Sequence, residues 1–164
     1  MAVPGEFPEL FKRQNILIIE GRYYEDIGSA LLSGAIAELE AMGVSHSHVM
    51  VPGALEIPQV LSQAIERNLI GIDADHPDYT GLVALGCVIR GETYHFEIVC
   101  DQANRTLMEL AVANAIPMGN AILTVDTHEQ ALARADGRNG KGGEAVRACL
   151  KLIEIAARFD GEIN

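Results

Sequence analysis

Residues 86–97 combine glycine, cysteine, arginine, threonine and histidine in one short stretch, Gly-Cys-Val-Ile-Arg-Gly-Glu-Thr-Tyr-His-Phe-Glu. An uncharged apolar run over 82–85 precedes this stretch, and apolar residues at helical spacing follow it. The pattern predicts a strand buried on both faces, a tight turn and the start of a helix. In a parallel sheet such a corner is where ligands bind, and the free N–H groups at a helix start favour an anion.

Two interpretations compete for the side chains of this turn. In the functional one, Thr93 supplies a hydroxyl donor, Arg90 a charge, and His95 a group that titrates near neutral pH. In the structural one, Gly91 makes the turn, Thr93 caps the helix and His95 is a solvated residue of its first turn. The turn by itself leaves both interpretations open.

The rest of the chain alternates between strand and helix patterns. Apolar runs predict further strands over 15–20, 45–51 and 120–125, each followed by apolar residues at helical spacing. Repeated alternation of this kind indicates a parallel sheet with right-handed crossovers. The predicted fold class is therefore α/β: a three-layer α/β/α sandwich around a four-stranded parallel sheet with flavodoxin-like strand order.

Length and composition set limits on the kind of protein. The chain has 164 residues, of which 49% are apolar, and this suits one globular domain, predicted over 15–164. Residues 1–14 contain three glycine or proline residues and show no period, so an extended N-terminal arm is predicted there. No apolar run approaches the ~20 residues that a membrane span needs. The N-terminus lacks a basic-then-apolar signal pattern, which predicts a cytoplasmic protein.

The formal net charge of −11 bears on possible partners. A strongly acidic chain disfavours nucleic acid and anionic membrane as partners. A phosphorylated small molecule remains compatible with this charge, because a few local cations and helix N-termini can outweigh a distant field.

Several potential metal ligands occur, but no metal site is predicted. The cysteines Cys87, Cys100 and Cys149 form no Cys-x-x-Cys pair, and they suit small buried thiols in a reducing compartment. His46 and His48 share a strand face, yet no third ligand follows them, so two polar residues at the outer end of a strand are the favoured interpretation over a metal pair.

Residues 70–79 look like an insertion rich in acidic side chains. The segment lacks the glycine and the distal glutamate of a calcium loop, so a solvated acidic loop is favoured over a cation site.

The last third of the chain yields three further predictions. Residues 126–129 look like a capping box, with Asp126 as cap and Glu129 reaching back. Residues 136–143 are predicted to form a glycine-rich loop. The last helix is predicted to bury one face made of Ala145, Ala148, Cys149, Leu152, Ala156 and Phe159.

The corners of the predicted sheet collect chemically useful side chains. Because all strands are parallel, the loops after them meet at one edge, and they carry Tyr23, Glu56 and the turn before His95. These groups suit a planar ring, a polar edge and an anion, respectively. No phosphate-binding loop of the Gly-x-x-x-x-Gly-Lys-Ser/Thr type and no Gly-x-Ser-x-Gly elbow occur. A histidine beside a ring site and an anion site fits proton transfer in a condensation or elimination.

Four ordered motifs give the chain a family resemblance. They are Gly21-Arg-Tyr23, the Val-Pro-Gly-Ala-Leu-Glu-Ile-Pro run over 51–58, the 86–96 stretch, and the Glu-Gln-Ala-Leu-Ala-Arg-Ala run over 129–135. From about residue 15 to the last helix, the chain resembles the 6,7-dimethyl-8-ribityllumazine synthase family of riboflavin biosynthesis. The resemblance implies condensation of 5-amino-6-(D-ribitylamino)uracil with 3,4-dihydroxy-2-butanone 4-phosphate, releasing phosphate and water, without a metal or organic cofactor.

The resemblance also assigns roles to individual residues. It implies that His95 transfers the proton and that Tyr23 stacks on the pyrimidine. The residues implied to hold the ring and ribityl chain are Ala54, Leu55, Glu56, Cys87, Val88 and Ile89. The residues implied to bind phosphate are Glu92 and Thr93, together with Arg134 and Lys141.

Assembly follows from the same resemblance. A neighbouring subunit is implied to close the site with Asn120, Arg134 and Lys141, so a homo-oligomer is expected. Asn120 is assigned to the uracil site, at a position where many members have a second ring-stacking phenylalanine, so it bears on the strength of pyrimidine binding. The loop over 137–143 lacks the Lys-Ala-Gly-Asn run typical of sixty-subunit cages, and a free pentamer is therefore expected. The alternative function is a non-catalytic lumazine- or flavin-binding or assembly protein on the same fold.

Overall fold

The computed structural model describes residues 7–164. Four parallel strands form one sheet in the order β2-β1-β3-β4, which confirms the predicted fold class and strand order. The strands are β1 (Asn15–Gly21), β2 (Ser45–Val51), β3 (Gly81–Ile89) and β4 (Met118–Val125). The two central strands, β1 and β3, are apolar and almost wholly buried, as strands covered on both faces must be.

Helices cover both faces of the sheet. They are α1 (Pro8–Lys12), α2 (Glu25–Ala41), α3 (Ile57–Glu66), α4 (His95–Ala113), α5 (His128–Ala135) and α6 (Lys141–Phe159), with a short 3-10 helix over Ala54–Glu56. Alternate residues of β1 enter two separate cores. Ile16 and Ile18 pack under α2, α5 and α6, whereas Leu17 and Ile19 pack under α3 and α4.

The predicted extended arm over 1–14 is wrong for residues 8–12, which form α1. Leu10 and Phe11 are 5% and 1% exposed and join the core under α2 and α6. Pro8 suits the first turn of a helix, because its fixed φ is already helical. The helix is too short to show a period, so the sequence did not reveal it. Residues 1–6 lie outside the described part of the chain.

The glycine-rich segment near 136–143 is a loop only over its first five residues, because α6 already begins at Lys141. Gly142 and Gly143 are buried in the first turn of α6. A Cβ on Gly142 would lie 2.2 Å from the carbonyl oxygen of Leu31 in α2. These glycines therefore permit two helices to approach closely; they do not mark a flexible loop.

The buried face of α6 is also different from the prediction. Ala145 and Cys149 are buried as predicted, but Ala148, Leu152, Ala156 and Phe159 are exposed. The buried face is completed by Val146, Leu150, Ile153 and Ala157. The helix carries two adjacent apolar stripes, and only the packing of α2 and β4 decides which one enters the core.

The predicted capping box at α5 is displaced by one residue. The helix cap is Thr127, whose hydroxyl accepts from the N–H of Gln130 at 3.2 Å. The side chain of Gln130 in turn accepts from the N–H of Asp126 at 2.9 Å. Asp126 does not cap, because its carboxylate is hydrogen-bonded by Arg90 Nε at 3.0 Å.

The strand with His46 and His48 and the acidic segment over 70–79 are the two stretches compared with metal sites. His48 Nε2 lies 2.6 Å from Oε2 of Glu20, a carboxylate buried between His48 and Arg22. Residues 70–79 form no helix or strand, and their acidic side chains and histidine are exposed.

None of the helices formed by residues 7–164 combines the length and apolar character that spanning a bilayer requires.

Candidate active site

A cleft of about 400 Å³ opens at the carboxyl edge of the sheet. It lies where the loops after β1, β2 and β3 meet the first turn of α4, so the corners converge as the topology requires. The cleft is lined by Tyr23, Tyr24, Pro52, Gly53, Ala54, Leu55, Glu56, Cys87, Val88, Ile89, Gly91, Thr93, His95, Phe96 and Val99. Nine residues of the site inferred from the sequence are among them.

Gly21 allows the loop after β1 to lie close to the loop after β2. A Cβ on Gly21 would lie 2.7 Å from the carbonyl carbon of Gly53, closer than atoms can approach. The N–H of Arg22 donates to the carbonyl of Val51 at 2.9 Å and extends the pairing of β1 with β2. The loop carrying Tyr23 is thereby held against the loop that carries Ala54 and its neighbours.

The Tyr23 corner rests on a buried ion pair. The guanidinium of Arg22, only 12% exposed in its side chain, binds the fully buried carboxylate of Glu20. This hydrogen bond raises the pKa of Arg22 above its ordinary value. Separating the two partners of such a pair leaves an uncompensated buried charge. The ion pair therefore restricts the movement of Arg22, the residue before Tyr23.

The two tyrosines of the first corner differ in their surroundings. Tyr23 is 73% exposed at the mouth of the cleft, and its ring meets Tyr24 edge-to-face with centroids 4.9 Å apart. Tyr24 packs against the core under α2, and burial raises the pKa of its phenol. The exposed ring of Tyr23 is supported by one neighbour and offers a free face for a planar ligand.

The second and third corners supply the inner walls of the cleft. Ala54 is buried, whereas Leu55 and Glu56 are half-buried in the short 3-10 helix. At the end of β3 the thiol of Cys87 is buried, and this burial raises its pKa to about 11. A neutral thiol at physiological pH is a small apolar wall and not a nucleophile.

The turn before α4 forms the remaining side of the cleft. His95 is the first residue of α4 and is exposed. The cap position of α4 is Tyr94, which makes no side-chain capping hydrogen bond among the described residues, and the hydroxyl of Thr93 accepts only weakly from the N–H of His95 at 3.4 Å. In the described part of the chain, the imidazole of His95 has no hydrogen-bond partner. Its ring is therefore available to a ligand in the cleft.

Arg90 and Glu92 do not line the cleft, although both belong to the same turn. The guanidinium of Arg90, for which the sequence suggested an anion-binding charge, instead pairs with Glu97 and Asp126. The sequence reasoning also missed Tyr24 and Phe96 as lining residues. Their aromatic type next to Tyr23 and His95 was the available signal.

Asn120, Arg134 and Lys141 lie elsewhere, in a second cavity of about 300 Å³ along β4. The amide of Asn120 donates to Oδ1 of Asn104 at 2.8 Å and accepts from the N–H of Ile122 at 2.8 Å. Arg134 is exposed near the end of α5, and Lys141 pairs with Glu144 on α6. These three residues are thus next to one another, but they are not part of the first cleft.

Comparisons with known proteins agree on one family. The sequence model of that family, described as 6,7-dimethyl-8-ribityllumazine synthase, matches residues 13–157. The enzyme of that name from Methylocella silvestris is 54% identical over 145 residues, covering 88% of this chain and 86% of the relative. The one from Agrobacterium fabrum is 47% identical over 150 residues, covering 91% of this chain and 99% of the relative.

A third relative, 6,7-dimethyl-8-ribityllumazine synthase 1 of Rhizobium meliloti, is 49% identical over 152 residues, which cover 92% of this chain and 97% of the relative. The match spans all four strands and the cleft between their carboxyl ends. From this coverage and identity it follows that the chain belongs to the 6,7-dimethyl-8-ribityllumazine synthase family.

Proposed function

We propose that this protein condenses 5-amino-6-(D-ribitylamino)uracil with 3,4-dihydroxy-2-butanone 4-phosphate to form 6,7-dimethyl-8-ribityllumazine, releasing phosphate and water. The observation that carries the proposal is one cleft that gathers Tyr23, Glu56 and His95 in a chain of this family. The exposed face of Tyr23 suits the pyrimidine ring, and the corner at Glu56 suits its polar edge and the ribityl chain. Ala54 and Leu55 form the wall beside them.

The end of β3 completes the uracil site. Cys87, Val88 and Ile89 line the cleft next to the first two corners. Their side chains are buried or half-buried, so backbone N–H and C=O groups are the polar groups they offer to a ligand. The uracil is proposed to use these backbone groups.

The phosphate of the second substrate is proposed to bind at the start of α4. The N–H groups of the first helical turn are free of intrahelical partners there and favour an anion. Glu92 and Thr93 are proposed to contribute their N–H groups, and the Thr93 hydroxyl lies at the cleft. This places the reactive carbons of the second substrate beside His95.

His95 is proposed to move the protons of the reaction. An amine adds to the ketone and a water is lost to form an imine, phosphate leaves, and the second ring closes with loss of a second water; each change requires a proton to be taken up or given back. A positioned histidine supplies about 10²–10⁴-fold in such steps. Holding both reactive substrates together can supply about 7–11 kcal/mol, so positioning is the larger contribution.

The complete site is proposed to form between subunits of a homopentamer. Arg134, Lys141 and Asn120 line a separate cavity along β4 of the same chain, and a heterologous ring brings that surface to the first cleft of a neighbour. Arg134 then contacts the phosphate, with Lys141 beside it. A free pentamer is favoured over a sixty-subunit cage. The protein is proposed to act in the cytoplasm, a reducing compartment in which free thiols such as that of Cys87 persist.

One experiment tests the proposed activity directly. The purified protein is mixed with both substrates, and lumazine fluorescence and inorganic phosphate are followed together. Equal amounts of both products are expected, with each substrate alone giving no signal. Tight binding of added lumazine without any turnover would reject the enzyme and leave a binding protein on the same fold.

A further inference from the structure

The turn between β3 and α4 is exposed and has few hydrogen bonds of its own. All residues from Arg90 to His95 are exposed. Within the turn, the described part of the chain makes two long hydrogen bonds. The N–H of His95 donates to the hydroxyl of Thr93 at 3.4 Å, and the N–H of Ile98 donates to the carbonyl of Tyr94 at 3.4 Å. The position of His95 therefore depends on contacts at the ends of the turn.

Arg90 provides those contacts through its backbone N–H and its guanidinium. Its N–H donates to the carbonyl of Val125 at 2.9 Å, which joins the turn to the end of β4. Its guanidinium donates to Oδ1 of Asp126 through Nε at 3.0 Å and to Oε1 of Glu97 through a second nitrogen. The same guanidinium lies 4.4 Å from the centroid of the Phe96 ring. One side chain thus connects the start of the turn to both residues that follow His95.

Two groups of this network have shifted pKa values. The hydrogen bond from Arg90 lowers the pKa of Glu97 below its ordinary value, and the two carboxylates raise the pKa of Arg90. The side chains of Arg90, Glu97 and Asp126 are 49%, 37% and 66% exposed. Ion pairs this exposed add little to global stability, so the geometry of the network matters more than its energy.

We propose that Arg90 is a positioning residue: by holding Glu97 and Asp126 together over Phe96, it sets the position of Thr93 and His95 at the cleft. Arginine suits this task, because its planar fork binds two carboxylates in fixed directions and stacks on an aromatic ring, which lysine does not reproduce. The kinetic part of the proposal rests on the proposed function, since it concerns the phosphate and proton-transfer end of that cleft.

The test uses Arg90→Gln, with Arg105→Gln as matched control. Arg105 lies on α4 and makes an exposed ion pair with Asp101 at 3.3 Å, away from the turn that carries Arg90. In Arg90→Gln, hydrogen exchange of the amides of residues 98–100, which bond to the carbonyls of residues 94–96 in the first turn of α4, is expected to accelerate, with a melting temperature close to that of Arg105→Gln. Unchanged exchange over 98–100 would overturn the proposal.

The kinetic readout separates positioning from a general loss of structure. In Arg90→Gln, kcat/KM for the phosphorylated ketone is expected to fall roughly 10- to 100-fold, the scale of a misplacement near 1 Å. Calorimetric binding of 5-amino-6-(D-ribitylamino)uracil is expected to stay within about twofold, because the inner walls of the cleft do not include Arg90. An equal loss in uracil affinity would reject the proposal.

Three further variants keep the proposal testable if Arg90→Gln fails to fold. Glu97→Gln and Asp126→Asn each remove one contact of Arg90, and the effect of combining these two is expected to be less than additive, because both act through the same guanidinium. Arg90→Lys is expected to restore at most part of the activity. If the unaltered protein makes no lumazine, the proposed function fails, and exchange over 98–100 alone decides the role of Arg90.

Discussion

The neighbours of each reactive side chain near the cleft decide whether that side chain is free to contact a ligand. Cys87 stays neutral because burial raises its pKa to about 11, and Arg90 is bound to two carboxylates. His95 and Tyr23 remain exposed at the cleft. The sequence identified these residue types, but it could not show that Arg90 faces Glu97 and Asp126, because the contact with Asp126 spans 36 positions.

His95→Ala is expected to lower kcat by about 10²–10⁴-fold, the usual contribution of a positioned histidine. Uracil binding is expected to stay almost intact, because other corners hold the ring. Steady-state lumazine formation and calorimetry measure the two effects, with Glu129→Ala, an exposed residue of α5, as control. Loss of uracil binding together with turnover would mark His95 as structural.

Arg134→Ala is expected to raise KM for the phosphorylated ketone by about 10-fold or more, the scale of losing a charge-assisted hydrogen bond to phosphate. KM for the uracil is expected to change far less. Arg67→Ala is the matched control, because Arg67 is an exposed arginine at the end of α3. Equal effects on both substrates would argue against the role in anion binding.

Among the secondary-structure elements, glycines control how closely neighbours pack. The approach of α6 to α2 depends on Gly142, and the approach of the Tyr23 corner to the second corner depends on Gly21. In the sequence, a glycine at a close contact looks the same as one in a loop. For this reason the start of α6 was misplaced, whereas the strands and the long helix α2 followed from their apolar spacing.

Gly142→Ala is expected to destabilise the fold by about 1–3 kcal/mol, because the new Cβ would overlap a backbone oxygen of α2 that cannot move aside easily. Ala37→Gly, at an exposed position of α2, is the control, and helix propensity alone predicts a loss of about 1 kcal/mol there. Urea denaturation measures both. A Gly142→Ala protein as stable as the unaltered one would show that α6 does not pack as described.

At the scale of the whole molecule, two separate surfaces carry the proposed site. The cleft with His95 and the cavity with Arg134 line different parts of one chain. The exposed stripe of α6, with Leu152 at 45% and Phe159 at 87% exposure, is apolar surface that a larger assembly would cover. This arrangement suits the proposed ring of subunits.

Mixing two impaired variants, assayed at a low concentration of the phosphorylated ketone, tests that arrangement. Unfolding and refolding His95→Ala together with Arg134→Ala is expected to restore about a quarter of the activity, because in a random heterologous ring that fraction of sites has both intact residues. Each variant refolded alone is the control. If the mixture has only the mean activity of the two controls, the site does not lie between subunits.

The sequence alone determined the α/β class, the strand order and the corners that carry Tyr23, Glu56 and His95, because apolar periodicity and parallel topology are local and repetitive signals. The tertiary structure decided that residues 8–12 form a helix in the core, which stripe of α6 is buried and where Arg90 points. These features depend on contacts between residues far apart in the chain, and spacing along the sequence carries no record of them.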